Sequence, residues 1–228
     1  MLTKEEMKKL AAMHAIERIQ ANMIVGIGTG STVYWFIEEL ARRVKEGLVC
    51  RCVPTSLATY KLATELGLSL MTLNEVSKID LTVDGADEVD PALNLIKGGG
   101  GALLQEKMVA AASDKLIIIA DSSKFVKALG VFPLPVEVIP YGWKQVQEHI
   151  SFTNDIGAVL RLKDDQPYVT DHGHYILDCH FNQISDPVKL SISLHDIPGV
   201  VENGLFIKMA NEAIIAAADG TVENIVAV

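Results

Sequence analysis

The chain is poor in the residues that mark several protein classes. It has three cysteines among 228 residues, which fits no secreted disulfide framework. Cys50 and Cys52 flank Arg51, so no CxxC metal or redox pair forms there. Strand alternation puts both on one face as small buried hydrophobes. No apolar run approaches the roughly 20 residues of a membrane span. The first segment, MLTKEEMKKLAAMHAIERIQ, carries acids among its lysines at helical spacing. It reads as an amphipathic helix rather than a signal peptide, so a cytoplasmic protein is expected. The net charge is -9, with no basic run and no basic–aromatic face. That argues against nucleic acid as the main partner. Internal repeats and low-complexity segments are also missing. What remains is a packed chain, 49% hydrophobic, long enough for one large domain or two modest ones.

The stretch from Asp84 to Lys107, DGADEVDPALNLIKGGGGALLQEK, concentrates the chemistry. Asp84 and Asp87 sit in a glycine turn, Lys97 precedes Gly98–Gly101, and Glu106 follows on a helix over Leu103–Ala112. Glycine lets backbone amides approach a ligand, and successive amides leading into a helix make an anion-binding concavity. Carboxylates beside an anion site suit proton transfer on an anionic substrate. Asp84 follows the strand Ile79–Val83, and in open α/β sheets ligands bind at strand C-terminal ends. Glu88 and Asp90 are expected to be solvated. Glu106 reads equally well as a functional carboxylate or as a plain acid that faces solvent or sits at the helix start.

A second anion site is expected earlier. The strand Met23–Gly28 runs into Thr29, Gly30, Ser31 and Thr32, then a helix over Val33–Glu46. Strand, Gly/Ser/Thr turn and helix is a phosphate-binding layout, although Ser31 could simply cap the helix. The dinucleotide fingerprint fails because position 31 is Ser and no acid ends the strand Val49–Val53. A Walker A Gly-Lys-Ser/Thr is missing as well. A single phosphate on a small molecule fits better. The strand Lys115–Ala120 ends in Asp121-Ser122-Ser123-Lys124, where Lys124 is either a second cation or an ordinary loop lysine.

Further strands are expected over Leu68–Leu73, Ala158–Lys163, Tyr168–Thr170 and His174–Cys179, the last entered by an Asp171-His172-Gly173 turn. Helices are expected over Trp143–Ile150 and from the Asp186-Pro187 cap to His195. The tail returns to strands, ending in Val222–Val228. His172, His174 and His180 form the only tight histidine group. They read as turn and strand surface rather than metal ligands.

Taken together, GIGTGSTV (26–33), DGADEVD (84–90), IKGGGGALLQEKM (96–108), DSSK (121–124) and FPLPVEVIP (132–140) resemble the type A ribose-5-phosphate isomerase family, over essentially the whole length. The resemblance implies interconversion of ribose 5-phosphate and ribulose 5-phosphate, in the pentose phosphate pathway, with no metal or organic cofactor. It implies Glu106 as the base, with Asp84, Asp87 and Lys97 around the reacting oxygens. Substrate contacts are implied for Thr29–Thr32, with Gly30 and Ser31 inside that loop, and for Gly85 and Ala86 between the aspartates. Gly98, Gly99 and Gly100 are implied too, with Lys124 and, in the first helix, Lys8 rather than its neighbour Lys9. Gly101 stands where many relatives carry alanine. The implied fold is α/β, a Rossmann-like domain (1–130 plus 206–228) with an inserted smaller α+β domain (131–205), in a homodimer or homotetramer. The segment Thr55–Thr64 is assigned no site. Two other classes stay open on the residues alone. A sugar-phosphate sensor would need a DNA-binding or partner module, and none is visible. A coenzyme A transferase would form a covalent acyl intermediate.

Overall fold

The computed structural model describes residues 1–227. Helix α1 (Lys4–Ile16) precedes strand β1 (Ile24–Ile27), helix α2 (Ser31–Lys45), β2 (Arg51–Pro54), α3 (Leu57–Glu65) and β3 (Leu81–Asp84). The short strands β4 (Glu88–Val89) and β5 (Leu95–Ile96) lead to α4 (Leu103–Ala111) and β6 (Leu116–Asp121). Next come β7 (Leu134–Val138), α5 (Trp143–Asn154), β8 (Gly157–Leu160), β9 (Leu162–Lys163), β10 (Gln166–Pro167) and β11 (Tyr175–His180). Helix α6 (Pro187–His195), β12 (Val200–Asn203), β13 (Leu205–Phe206), β14 (Glu212–Ala216) and β15 (Val222–Val226) complete the order.

The principal sheet has six strands in the order β15-β14-β6-β3-β1-β2. All its pairings are parallel except β14 with β15. Buried parallel strands need apolar residues on both faces, and β6 supplies them as LIIIA, buried throughout. The strand order reverses beside β1, with β2 on one side and β3 on the other. The ends of β1 and β3 therefore open a crevice between the turns they feed. A second sheet, β12-β7-β11-β8, is wholly antiparallel. The small sheet β13-β5-β4 lies between them in the chain's connectivity, and Ile96 of β5 packs in the core of the second sheet.

Helix α2 buries Val33, Phe36, Ile37, Leu40 and Ala41, the spacing of one helical stripe. Arg42, Arg43 and Lys45 occupy its last turn, where cations complement the helix dipole. The helix starts at Ser31, two residues before the sequence expectation, because Gly30 is the cap at φ 117. Ser31 is thus the first helical residue and its hydroxyl is free of the capping role. Helix α1 begins with a capping box between Thr3 and Glu6, and its fully buried Ala11, Ala12 and Ala15 allow close packing on α2.

Several local expectations change. Leu68–Leu73 is no strand: only Leu70 bridges to Cys52, and Leu73–Glu75 is a 3-10 turn. The strand expected over Ala158–Lys163 breaks at Arg161, whose side chain leaves to bond the glycine loop. Tyr168–Thr170 is irregular, with Tyr168 N–H donating to Arg161 O at 2.9 Å. Helix α5 runs four residues past Ile150 and ends at Asp155 in the left-handed region, φ 51. Of the last expected strand, Val228 lies outside the described residues.

Candidate active site

Three strand ends meet at one cleft of about 390 Å³. The end of β1 supplies Thr29, Gly30, Ser31 and Thr32. The turn after β3 supplies Gly85, Ala86 and Asp87. Asp121, Ser123 and Lys124 come from the end of β6, and Lys4 and Lys8 reach in from α1. The glycine loop contributes Lys97, Gly98 and Gly100, and α4 contributes Glu106. Of the residues expected from sequence, Asp84 and Gly99 are not part of the lining: Asp84 is buried and Gly99 is exposed.

Lys97 is at the centre. Its side chain is 3% exposed, 3.0 Å from Asp84 Oδ2 and 3.4 Å from Glu106 Oε2. It also donates to Gly85 O at 2.6 Å. Asp84 Oδ1 accepts from Thr29 N–H at 3.2 Å and Gly85 N–H at 2.7 Å, so this carboxylate ties the first turn to the second. Asp87 Oδ2 accepts from Gly99 N–H at 2.8 Å, fixing the glycine loop. Gly28 is needed here for its bareness: a Cβ would lie 2.1 Å from Asp84 Oδ1 and 2.7 Å from Asp84 Cα.

Glu106 is buried, not the solvent-facing acid its helix position allowed. Its Oε2 makes no hydrogen bond, since the Lys97 contact has ion-pair distance without hydrogen-bond geometry. Burial raises the Glu106 pKa from its ordinary value, and the charges of Asp84 and Asp87 add to this, with Lys97 opposing. Burial works against the Lys97 charge, yet Asp84 and Glu106 outweigh it, and its pKa is raised. Burial also raises Asp84, against Lys97 and the two amides. Two carboxylates thus compete for one ammonium. Asp84 holds the better partners, so the proton is most easily kept on Glu106.

The first turn is held from behind by hydroxyls. Thr29 Oγ1 lies 2.7 Å from Thr55 Oγ1 and 2.8 Å from Ser56 Oγ. Thr59 Oγ1 donates to Gly28 O at 2.8 Å. This buried support comes from the segment to which sequence reasoning assigned no site; the Thr/Ser content of PTSLAT was its only signal. Lys8 donates to Ser31 Oγ at 2.9 Å, whereas Lys9 lies over the Trp35 ring at 5.2 Å. Lys124 lines the cleft with its ammonium 5.7 Å from the Phe132 ring centre.

Two acids depart from expectation. Glu88 is buried, not solvated, because its carboxylate accepts from Gly130 N–H and Phe132 N–H, both at 2.6 Å. Asp90 is half-buried and closes its own turn, accepting from Ala92 N–H and Asn94 N–H at 2.9 Å. Among the described residues, no group of three or more His, Cys, Asp and Glu side chains is placed to hold a metal ion. His174 Nδ1 instead lies 2.9 Å from the buried carboxylate of Glu137. A neighbouring groove of about 460 Å³ shares Thr29–Ser31, but its only charged residue is Glu5. Anion affinity therefore belongs to the lysine-lined cleft.

The family model of ribose 5-phosphate isomerase A (phosphoriboisomerase A) matches residues 51–220. The chain belongs to this family. It is 53% identical to ribose-5-phosphate isomerase A of Bacillus cereus over 218 residues, covering 95% of this chain and 99% of that protein. Its fold is similar to a D-ribose-5-phosphate isomerase solved in complex with phospho-erythronic acid (TM-score 0.95, 41% identity, 99% of this chain and 100% of that one). The ribose 5-phosphate isomerase of Plasmodium falciparum is similar too (TM-score 0.94, 38% identity, 97% and 98% covered). The family's α/β architecture is the one described above, and among the described residues no helix is long and apolar enough to cross a membrane.

Proposed function

We propose that the cleft interconverts D-ribose 5-phosphate and D-ribulose 5-phosphate through an enediolate, with Glu106 moving one proton between C1 and C2. The interconversion is the activity of the family to which the chain belongs. The observation that carries the residue assignment is the buried Glu106 carboxyl, open to the cleft, with Oε2 unbonded beside Lys97. Carbon acids beside a carbonyl need a positioned base and fixed positive charge where the oxygen turns anionic. Lys97, kept cationic by Asp84, is that charge. The amides of the glycine loop add donors, and Asp87 sits beside them to shuttle the hydroxyl proton or open the sugar ring.

The phosphate is assigned to the other end of the cleft, against the Gly30–Thr32 amides, the Ser31 and Thr32 hydroxyls, Lys8 and Lys124, with Thr29 shaping the turn from behind. The N-terminus of α2 lies there with no acid in its first turn, which suits an anion. The related enzyme's ligand, phospho-erythronic acid, supports the enediolate reading. It joins a phosphate to a carboxylate, and a planar carboxylate resembles an enediolate in shape and charge. The same reading carries a cytoplasmic homodimer or homotetramer. The exposed Tyr141 and Phe152 leave apolar surface for a second copy, and sedimentation velocity tests that assembly.

Glu106→Gln keeps the shape and removes the base. Turnover is expected to fall by about 100- to 10,000-fold, while ribose 5-phosphate still raises the melting temperature. Wild-type turnover in this variant would remove Glu106 as the base.

A further inference from the structure

The second sheet does not merely flank the cleft; it reaches into the glycine loop through one side chain. Arg161 follows β8 and stands 14% exposed. Its Nη1 donates to Gly98 O at 2.8 Å and to Gly99 O at 3.2 Å. The guanidinium is held in turn by Asp178 on β11, with Nε donating to Oδ2 at 2.9 Å and Nη2 to Oδ1. This two-pronged pairing fixes the plane of the guanidinium. Tyr168, whose N–H donates to Arg161 O at 2.9 Å, sets its hydroxyl 3.4 Å from Gly100 O.

The consequence follows from peptide planarity. A trans peptide points its C=O and its N–H in opposite directions. With Gly98 O tied to Arg161, the Gly99 N–H is turned away from it, onto Asp87 Oδ2 at 2.8 Å. With Gly99 O tied likewise, the Gly100 N–H is turned away from the arginine as well. Gly100 lines the cleft, and a Cβ there would meet nothing closer than Thr29 Cγ2 at 3.8 Å. Inside the loop Gly101 N–H also donates to Gly98 O, at 3.0 Å, whereas Gly99 O is met from outside the loop by Arg161. Glycine peptides otherwise flip at little steric cost, so the Gly99–Gly100 peptide needs that outside anchor to keep its amide aimed.

We infer that Arg161, locked by Asp178, is a positioning residue that holds the Gly98–Gly100 peptides with their amides toward Asp87 and the reacting oxygen. The inference rests on the enediolate reading above, which makes those amides and Asp87 part of the chemistry. Arg161 itself touches no substrate. The phosphate end of the cleft lies on other elements, so losing the anchor degrades the reacting end and spares binding.

The test pairs Arg161→Gln with Arg161→Lys and Asp178→Asn, assayed with ribose 5-phosphate beside Glu106→Gln. In Arg161→Gln, kcat is expected to fall by on the order of 100-fold, the scale for small misplacements at a reacting centre, with KM changed far less. Arg161→Lys recovers part of the loss, since an ammonium can reach one carbonyl but has no fork for Asp178. Asp178→Asn falls between the parent and Arg161→Gln. Hydrogen exchange rises over residues 97–102 and not over β6. Unchanged kcat in Arg161→Gln, with Glu106→Gln inactive, sinks the Arg161 inference alone. Turnover retained by Glu106→Gln removes the reading beneath it. If Arg161→Gln does not fold, Arg161→Lys decides: a lowered kcat at held KM supports the anchor, and an unchanged kcat overturns it. Equal losses in the Gln and Lys variants, with exchange rising throughout the second sheet, would mark a merely structural role.

Discussion

The Glu106 carboxyl pulls activity and stability in opposite directions as pH changes. Glu106 has a folded pKa raised above its ordinary 4.5, chiefly by burial. A base must be ionised to accept a proton, so kcat/KM is expected to fall with acid, along a limb centred well above 4.5. A pH–rate profile of the parent enzyme checks this. Stability moves the other way. Between the unfolded and folded pKa values the folded chain holds the extra proton, so the contribution of Glu106 to stability is greatest at low pH and declines as pH rises through that window. Glu106→Gln removes that decline. Its melting temperature relative to the parent is expected to climb steadily as pH rises above 4.5, read by thermal scans across pH. A parallel pair of curves would show that the carboxyl is not perturbed. Lys8 and Lys9 make a second residue-scale contrast. Lys8→Met is expected to raise KM for the sugar phosphate and Lys9→Met to leave it unchanged, since only Lys8 lines the cleft.

At the scale of elements, the strand ends do the positioning. The turn after β1 and the turn after β3 touch through Asp84, which packs on the bare backbone of Gly28. Gly28→Ala forces a methyl against the Asp84 backbone as well as its side chain. Overpacking of this kind costs about 1–3 kcal/mol, and here it also moves the partner of Lys97. The variant is expected to lose both stability and turnover, measured by denaturant titration and by assay. Helix α4 contributes differently. It presents Glu106 on the same buried side as Leu103, Val109 and Ala110, so packing of the helix itself drives the carboxyl out of water. That is the origin of its shifted pKa, and it costs the fold free energy that function recovers.

Over the whole molecule, the two large sheets are joined by contacts that also build the site. Lys97 N–H donates to Gly204 O at 2.9 Å, and Gly204 N–H to Pro135 O at 2.7 Å. Lys107 on α4 pairs with Glu202 at 2.7 Å, and Arg161 crosses from the second sheet to Gly98. We propose that the chain divides into 1–130 plus 206–228 and 131–205, and the crossing contacts are expected to make the two units melt together. Calorimetry is expected to give one transition with equal calorimetric and van't Hoff enthalpies. Two resolved transitions would mean that these crossing contacts are weak.

The sequence by itself determined the strand ends, the glycine loop and the helix that carries Glu106. Those features follow from local causes: apolar runs such as LIIIA, turn glycines and the spacing of apolar residues in α2. Its motif set also sufficed to identify the family. Only the tertiary structure decided which polar groups are buried and whom they meet. Glu88 looked solvated in an acid-rich turn and is buried because Gly130 and Phe132 supply its donors. Thr55, Ser56 and Thr59 lie in the segment assigned no site, and they brace Thr29. Arg161 gave no signal, because the carbonyls it holds lie 63 and 62 residues away in the chain. Backbone preference is a property of neighbours in sequence, whereas desolvation and hydrogen-bond partnership arise only when distant segments pack together.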